Sequence, residues 1–384
     1  MAAALSGTPD DQPSGGRWSA LPDFPWDALV PAGERARAHP GGIVDLSVGT
    51  PVDPTPAVVQ EALRRAADAP GYPAVVGTPA LREAVAAWAA RSRGVPDLDP
   101  AAVLPTVGSK ELVAWLPTLL GLGPGDVVVH PAVAYPTYDV GARLAGATPL
   151  PVPAGELPDL RAGTGRVRLV WVNSPSNPTG EVLDAGRLRE VVRWARSVGA
   201  VVASDECYAE LAWDVDDVPS VLDPRVCEGG HEGLLLVSSL SKRSNLAGYR
   251  GGFVAGDPAL VAALVAVRKH AGMIVPAPVQ AAVAAALGDD AHVAEQRERY
   301  RRRREALLPA LDAAGLSVPG SPAGLYLWAT RGEDAWATVA DLAERGVLVA
   351  PGSFYGPLGA RWVRVALTAS DERVRAGVTR LTPP

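Results

Sequence analysis

Between Gly49 and about residue 272 the chain alternates between two textures. Short apolar runs are VVVH (127–130), RLVWVN (168–173), AVVASDE (200–206), LLLVSS (234–239) and GFVAG (252–256). Between them lie segments with a helical period, at 79–92, 109–121, 184–198 and 258–270. Runs that are apolar at successive positions have no face to show to water. They predict buried strands of a mainly parallel sheet covered on both faces by helices, an α/β architecture. VLPTV (103–107) reads as a further strand, and IVDLSVGTP (43–51) as a short one ending near Gly49 and Pro51.

Beyond Pro276 the texture changes. A helical stretch (278–287) leads into a long charged helix (290–314), and short strands follow near 323–330, 347–350 and 361–367. This predicts a smaller α+β domain. A chain of 384 residues also exceeds the roughly 250–300 that one core can serve. The expected division is a disordered Gly-, Pro- and Ser-rich tail over 1–19, an N-terminal segment over 20–47 joining the small domain, a large domain over 48–275 and a small one over 276–384.

Bulk properties exclude several classes. The net charge of −6 argues against a nucleic-acid or membrane-surface partner, which would want a basic field. No run of about 18 apolar residues exists, and the start lacks the apolar stretch of a signal peptide. Two cysteines are too few for a disulfide scaffold, so a reducing cytoplasm is expected. The five histidines form no metal-ligand spacing, so no metal is expected. The run RYRRRRE (299–305) reads as the solvated face of the long helix.

The chain has three lysines, Lys110, Lys242 and Lys269. Lys242, in SSLSKRSNLAGYRGG, follows the strand LLLVSS, where open α/β sheets place their ligands. Ser239, Ser241 and Arg250 flank it, a set able to hold a phosphate beside a reactive amine. Three further motifs sit at strand ends. They are NSPSNPTG (173–180), SDECY (204–208) and GSKELV (108–113). The last opens a helix, whose first N–H groups favour an anion. Taken singly, each has a structural reading as a turn, a helix cap or an ion pair. Cys207, inside SDECY, reads as a buried bystander thiol.

In this order and spacing the motifs resemble the class I and II aminotransferases, which use pyridoxal 5'-phosphate (PLP) and have the fold-type-I architecture. That architecture has a large PLP-binding domain with a mostly parallel seven-stranded sheet and a smaller α+β domain. The resemblance runs from about residue 20 to the end. It implies that Lys242 carries the cofactor as a Schiff base and then moves the proton. Asp205 would pair with the pyridine nitrogen, an ion pair worth about 4 kcal/mol at 4 Å and an effective dielectric of about 20. Asn177 and Tyr208 would bond the phenolic oxygen, and Tyr135 would stack on the ring. Gly108, Ser109, Lys110, Ser239, Ser241 and Arg250 would hold the phosphate. Arg364 would take the substrate carboxylate with its bidentate fork, helped by the Gly49 N–H. Tyr72 would reach the phosphate of a neighbouring subunit, implying a homodimer.

At a finer level, LPDFPWDAL, VDLSVGTPVDPTP, GSKELVAWLPTLLGLGPGD, AYPTYDVGARLAGA and SLSKRSNLAGYRGGFVAG resemble bacterial N-succinyldiaminopimelate aminotransferases. This implies glutamate as donor, giving 2-oxoglutarate, and an N-acylated amino dicarboxylate as the other substrate, in lysine and diaminopimelate biosynthesis. Alternatives are an aspartate- or N-acetylornithine-type aminotransferase, a PLP C–S lyase, and, remotely, a PLP-fold ligand-sensing regulator, for which too little chain precedes the fold. The stretch from Arg17 to Trp26 and RKHAGM (268–273) are expected to contribute to the distal end of the substrate. No role is assigned to Trp115 or Trp213.

Overall fold

The computed structural model describes residues 21–154, 156–158 and 165–382. The tail expected over residues 1–19, with Arg17, lies outside them. Seven strands form one sheet, in the spatial order Val103–Val107, Gly251–Gly256, Leu234–Ser239, Val201–Asp205, Arg166–Asn173, Asp126–Pro131, Thr148–Val152. Gly251–Gly256 runs antiparallel to both of its neighbours, and the other pairings are parallel.

The two-sided apolar runs account for this sheet. Val202, Leu234, Leu236 and Phe253 face a core shared with Trp88, Leu188 and Val191. The alternate residues Ala203, Leu235, Val237 and Val254 face a second core with Leu112, Leu116, Tyr138 and Leu264. Period-two alternation thus sends both sets into helix-covered layers. The helices Pro79–Arg93, Gly108–Leu119, Ala185–Ser197 and Pro258–Ala271 follow the expected segments closely. Thr148–Val152 is an addition to the expected strands, since TPLPV carries two prolines. It is an edge strand, where a missing N–H costs no ladder bond, and Pro105 sits in the strand at the other edge.

Of IVDLSVGTP only Val44–Asp45 is a strand, and it pairs with Val347–Leu348 rather than joining the large sheet. A three-stranded antiparallel sheet, Ala350–Pro351, Val363–Ala366 and Tyr326–Ala329, lies beside it. Leu29, Val44 and Leu46 share a core with Leu307, Leu327, Val339 and Val365. The division expected at 276 falls elsewhere. Helix Ala277–Leu287 buries Ala282, Val283 and Leu287 against the large sheet, so the passage to the smaller core lies within the long helix Ala291–Ala313.

That helix also corrects the reading of RYRRRRE. Arg301 and Arg302 pair with Glu298 at the surface, as expected. Arg303 is buried and bonds both oxygens of Asp53 at 2.6 and 2.8 Å, and Asp371 at 2.7 Å. Burial pushes the Asp53 carboxyl up, but hydrogen bonds from Arg303 and Gln296 outweigh it and hold it below its ordinary value. Among the described residues no helix is long and apolar enough to cross a membrane.

Candidate active site

Parallel pairing brings Asn173 opposite Asp205, and Ser239 ends the next strand. These strand ends open into a cavity of about 480 Å³. Twelve of the sequence-predicted site residues line it: Gly49, Ser109, Lys110, Tyr135, Asn177, Asp205, Tyr208, Ser239, Ser241, Lys242, Arg250 and Arg364. Gly108 lies directly behind Arg250. Tyr72 does not line the cavity; its side chain is fully exposed on this chain.

Lys242 donates from Nζ to the Gly49 carbonyl. Burial pushes its ammonium below the ordinary lysine value, and the Arg364 and Arg250 guanidinium groups add to this, against Tyr326 and Cys207. Asp205 is buried and accepts from Tyr138 Oη at 2.9 Å and from the Cys207 N–H at 3.2 Å. Burial pushes its carboxyl up, so a cationic partner in the cavity is what would favour its charged form. Tyr138 is itself fixed by stacking on Trp171, with centroids 5.0 Å apart. Asn173 braces the loop that follows it. Its amide donates to Asp205 O and Pro175 O, and its Oδ1 accepts from the Asn177 N–H at 2.7 Å.

At one end of the cavity Arg364 is buried, donating to Ser47 O at 2.7 Å and to Asn177 Oδ1 at 3.0 Å. Its guanidinium lies 3.9 Å from the Tyr326 ring centroid and 4.9 Å from that of Tyr355. No carboxylate pairs with it among the described residues, and its Nε has no partner. A buried guanidinium without an acidic partner is suited to an anionic ligand. At the other end Arg250 has left-handed backbone (φ 57°) and packs against Gly108, where a Cβ would stand 2.2 Å from Arg250 Nη2. A Cβ on Gly252 would stand 3.0 Å from the Ser109 nitrogen. Two glycines thus let the helix start, the serines and Arg250 converge.

The chain matches the family model for aminotransferase class I and II over residues 42–381. It is a class I/II aminotransferase. It is 63% identical to a probable aminotransferase of Mycobacterium tuberculosis, over 96% of this chain and 87% of that protein. It is 59% identical to 4-dedimethylamino-4-oxo-anhydrotetracycline transaminase OxyQ of Streptomyces rimosus, over 94% and 99%. Among solved structures, a probable N-succinyldiaminopimelate aminotransferase from Thermus thermophilus superposes with a TM-score of 0.83 at 32% identity, covering 93% of this chain and 99% of that one. The architecture is the α/β fold type I of PLP enzymes, and the family depends on PLP. The aminotransferase cavity fits that cofactor. It offers a lysine amine, a buried carboxylate and, where side chains on Gly108 and Gly252 would intrude, a polar cradle.

Sequence reasoning missed Tyr138, Asn173 and Tyr326. Tyr138 and Asn173 sit in motifs already singled out, AYPTY and RLVWVN, so their proximity was available. Tyr326, in GLYLW, looks like any strand residue. Phe24 and Trp26 line the cavity as expected of the lead-in, with Trp26 packed on Phe354 at 5.3 Å. RKHAGM does not line it. Arg268 is buried and bonds Glu111, which in turn accepts from the Val107 N–H and so braces the start of helix Gly108–Leu119. Cys207 lines the cavity beside Ser239 at 3.6 Å, and burial pushes its thiol well up, away from the thiolate a nucleophile needs. Trp213 donates to Gly324 O at 2.8 Å and lies under Arg297. Trp115 is partly exposed, and nothing in the structure explains it.

Proposed function

We propose that this aminotransferase takes the amino group of glutamate and delivers it to N-succinyl-2-amino-6-oxopimelate, with Lys242 as the group that binds PLP and moves the proton. The observation that carries the general chemistry is one cavity holding Lys242, the buried Asp205 and the unpaired Arg364. PLP supplies an electron sink for the pair left when a proton leaves the substrate carbon. Asp205, held by Tyr138 and the Cys207 N–H, would pair with the ring nitrogen and favour its protonated form. Asn177 and Tyr208 would bond the ring oxygen, and Tyr135, which lines the same cavity, would pack against the ring. Ser239, Ser241, Arg250 and the backbone N–H groups of Ser109 and Lys110 would hold the phosphate in the cradle that Gly108 and Gly252 leave open. Arg364 and the Gly49 N–H hold the α-carboxylate. Lys242, its ammonium disfavoured by burial, takes the proton. Phe24 and Trp26 add an apolar wall to the cavity.

The distal end of the substrate meets the mouth. There the Lys110 ammonium lies 5.7 Å from the centroid of Phe24, a cation beside an apolar face. That pairing suits a flexible acyl chain ending in a carboxylate. The exposed Tyr72 completes the phosphate site of a second subunit in a homodimer. A second reading is favoured by the 59% identity to OxyQ: a keto group on a fused-ring substrate. A substrate panel separates them. N-succinyl-LL-2,6-diaminopimelate, N-acetylornithine, aspartate and alanine are each paired with 2-oxoglutarate, and the oxo-anhydrotetracycline with glutamate. The succinyl substrate should show the highest kcat/KM. A higher value for any other overturns the substrate assignment.

A further inference from the structure

We propose that Tyr326 is a positioning residue of amino transfer, its hydroxyl standing beside Gly49 and Tyr208 to partner the Lys242 amine while that amine carries the substrate proton. This rests on the reading of Lys242 as the reactive amine. Tyr326 belongs to the small sheet, yet its ring enters the cavity between Arg364 and Tyr208. The ring is fixed on one face by Arg364 at 3.9 Å and at its edge by Tyr208, with centroids 5.8 Å apart. Its hydroxyl fills the space that a side chain on Gly49 would need, since a Cβ there would stand 2.1 Å away. The Gly49 carbonyl is also the acceptor of Lys242 Nζ. Phenol oxygen and lysine nitrogen therefore meet at one residue.

The hydroxyl protons sharpen the point. Tyr326 and Tyr208 are 3.3 Å apart, oxygen to oxygen. Two phenols bring two protons, and one bond between them uses only one. Whichever phenol donates, the Tyr326 oxygen keeps a lone pair for a further donor, and the Lys242 amine shares Gly49 with it. After the amine takes a proton, the ammonium donates to Gly49 O and the phenol oxygen accepts. That matters because the new cation is buried near two guanidinium groups, Arg364 and Arg250, which oppose it. Burial pushes the Tyr326 phenol up, but Arg364, Lys242 and the bond to Tyr208 together bring it below its ordinary value, which makes it a better partner for a cation. A packing residue needs only the ring; the hydroxyl is what this role requires.

Tyr326→Phe keeps the ring against Arg364 and removes the hydroxyl. In the glutamate half-reaction the maximal rate should fall by about tenfold or more, as for loss of a hydrogen bond to a charged group. The half-saturating glutamate concentration should change by less than about twofold. The isotope effect with Cα-deuterated glutamate should rise. A second readout needs no cofactor. In the apo-protein, labelling of Lys242 by trinitrobenzenesulfonate is followed against pH by peptide mass spectrometry, with Lys110 and Lys269 as internal references. Its midpoint should move to lower pH in Tyr326→Phe, the partner that favours the ammonium being gone. An unchanged midpoint overturns the proposal, whatever happens to the rate. An unchanged rate and isotope effect overturn it as well. Failure of the wild type to turn over glutamate would bear on the donor assignment alone, because the labelling arm does not use glutamate.

Discussion

Gly49→Ala tests the closest approach in the site. A methyl group there would stand 2.1 Å from Tyr326 Oη, 2.8 Å from Cζ and 2.9 Å from Cε1. The backbone at Gly49 does not need glycine for its own conformation, so the cost is purely one of space. Either the ring or the chain must withdraw by about 1 Å to restore contact distance. The ring is held by Arg364 and Tyr208. The chain is held as firmly: Ser47 O accepts from Arg364, Val48 O from Thr368 Oγ1 at 2.9 Å, and Gly49 O from Lys242. Whichever yields displaces the carboxylate site or the lysine. Overpacking of this kind costs about 1–3 kcal/mol. At tenfold per 1.4 kcal/mol that is about a five- to 150-fold loss in kcat/KM for glutamate. The assay is the glutamate half-reaction, with cofactor content and thermal melting measured beside it. Gly123→Ala is the control, since a methyl there meets nothing within 4 Å, and it should stay within about twofold of the wild type. If Gly49→Ala does so too, the close packing of Tyr326 on Gly49 is refuted.

Two further outcomes concern stability. Because burial holds the folded Lys242 below its ordinary 10.5, the folded apo-protein binds fewer protons than the unfolded chain between those values, and its stability rises with pH through that window. Lys242→Met should therefore raise the melting temperature of the apo-protein near pH 7, by a margin that shrinks as pH approaches 10.5; a margin constant with pH would contradict this. Arg93 and Glu206 form a buried ion pair at 2.9 Å, and Glu206 neighbours Asp205. Arg93→Ala leaves that carboxylate uncompensated and should cost about 3–5 kcal/mol in equilibrium denaturation, with partial recovery in Arg93→Ala/Glu206→Gln; a loss below about 1 kcal/mol would show that the pair does not matter.

The cofactor side of the cavity was legible because it is built from contiguous motifs at strand ends. Once a parallel sheet is inferred, Asn177, Asp205, Ser239 and Lys242 must emerge at one edge of it, and Asn173 does pair with Asp205. What escaped was decided by contacts distant in sequence. Pro276 looks like a boundary, yet helix Ala277–Leu287 owes its place to Val283 and Leu287 packing on the large sheet. Arg303 looks like one arginine of a solvated run. Its burial depends on Asp53, 250 positions away.

The same contrast separates cofactor from substrate. Arg364 and Tyr326 reach the cavity from the small sheet, and Phe24 and Trp26 from the N-terminal segment. Their aim toward Lys242 depends on how the smaller core sits on the larger one, which no local pattern encodes. The Arg303 links to Asp53 and Asp371, together with Gln296 bonded to Asp53 and Asn245, are ties that set this. Asn245 lies three residues beyond Lys242, so this network braces the lysine loop against the helix that carries the small core. The identity of the reaction is therefore written in local motifs. The identity of the substrate is written in the packing between cores, and that is where the relatives' differing substrate names and the Tyr326 hydroxyl both belong.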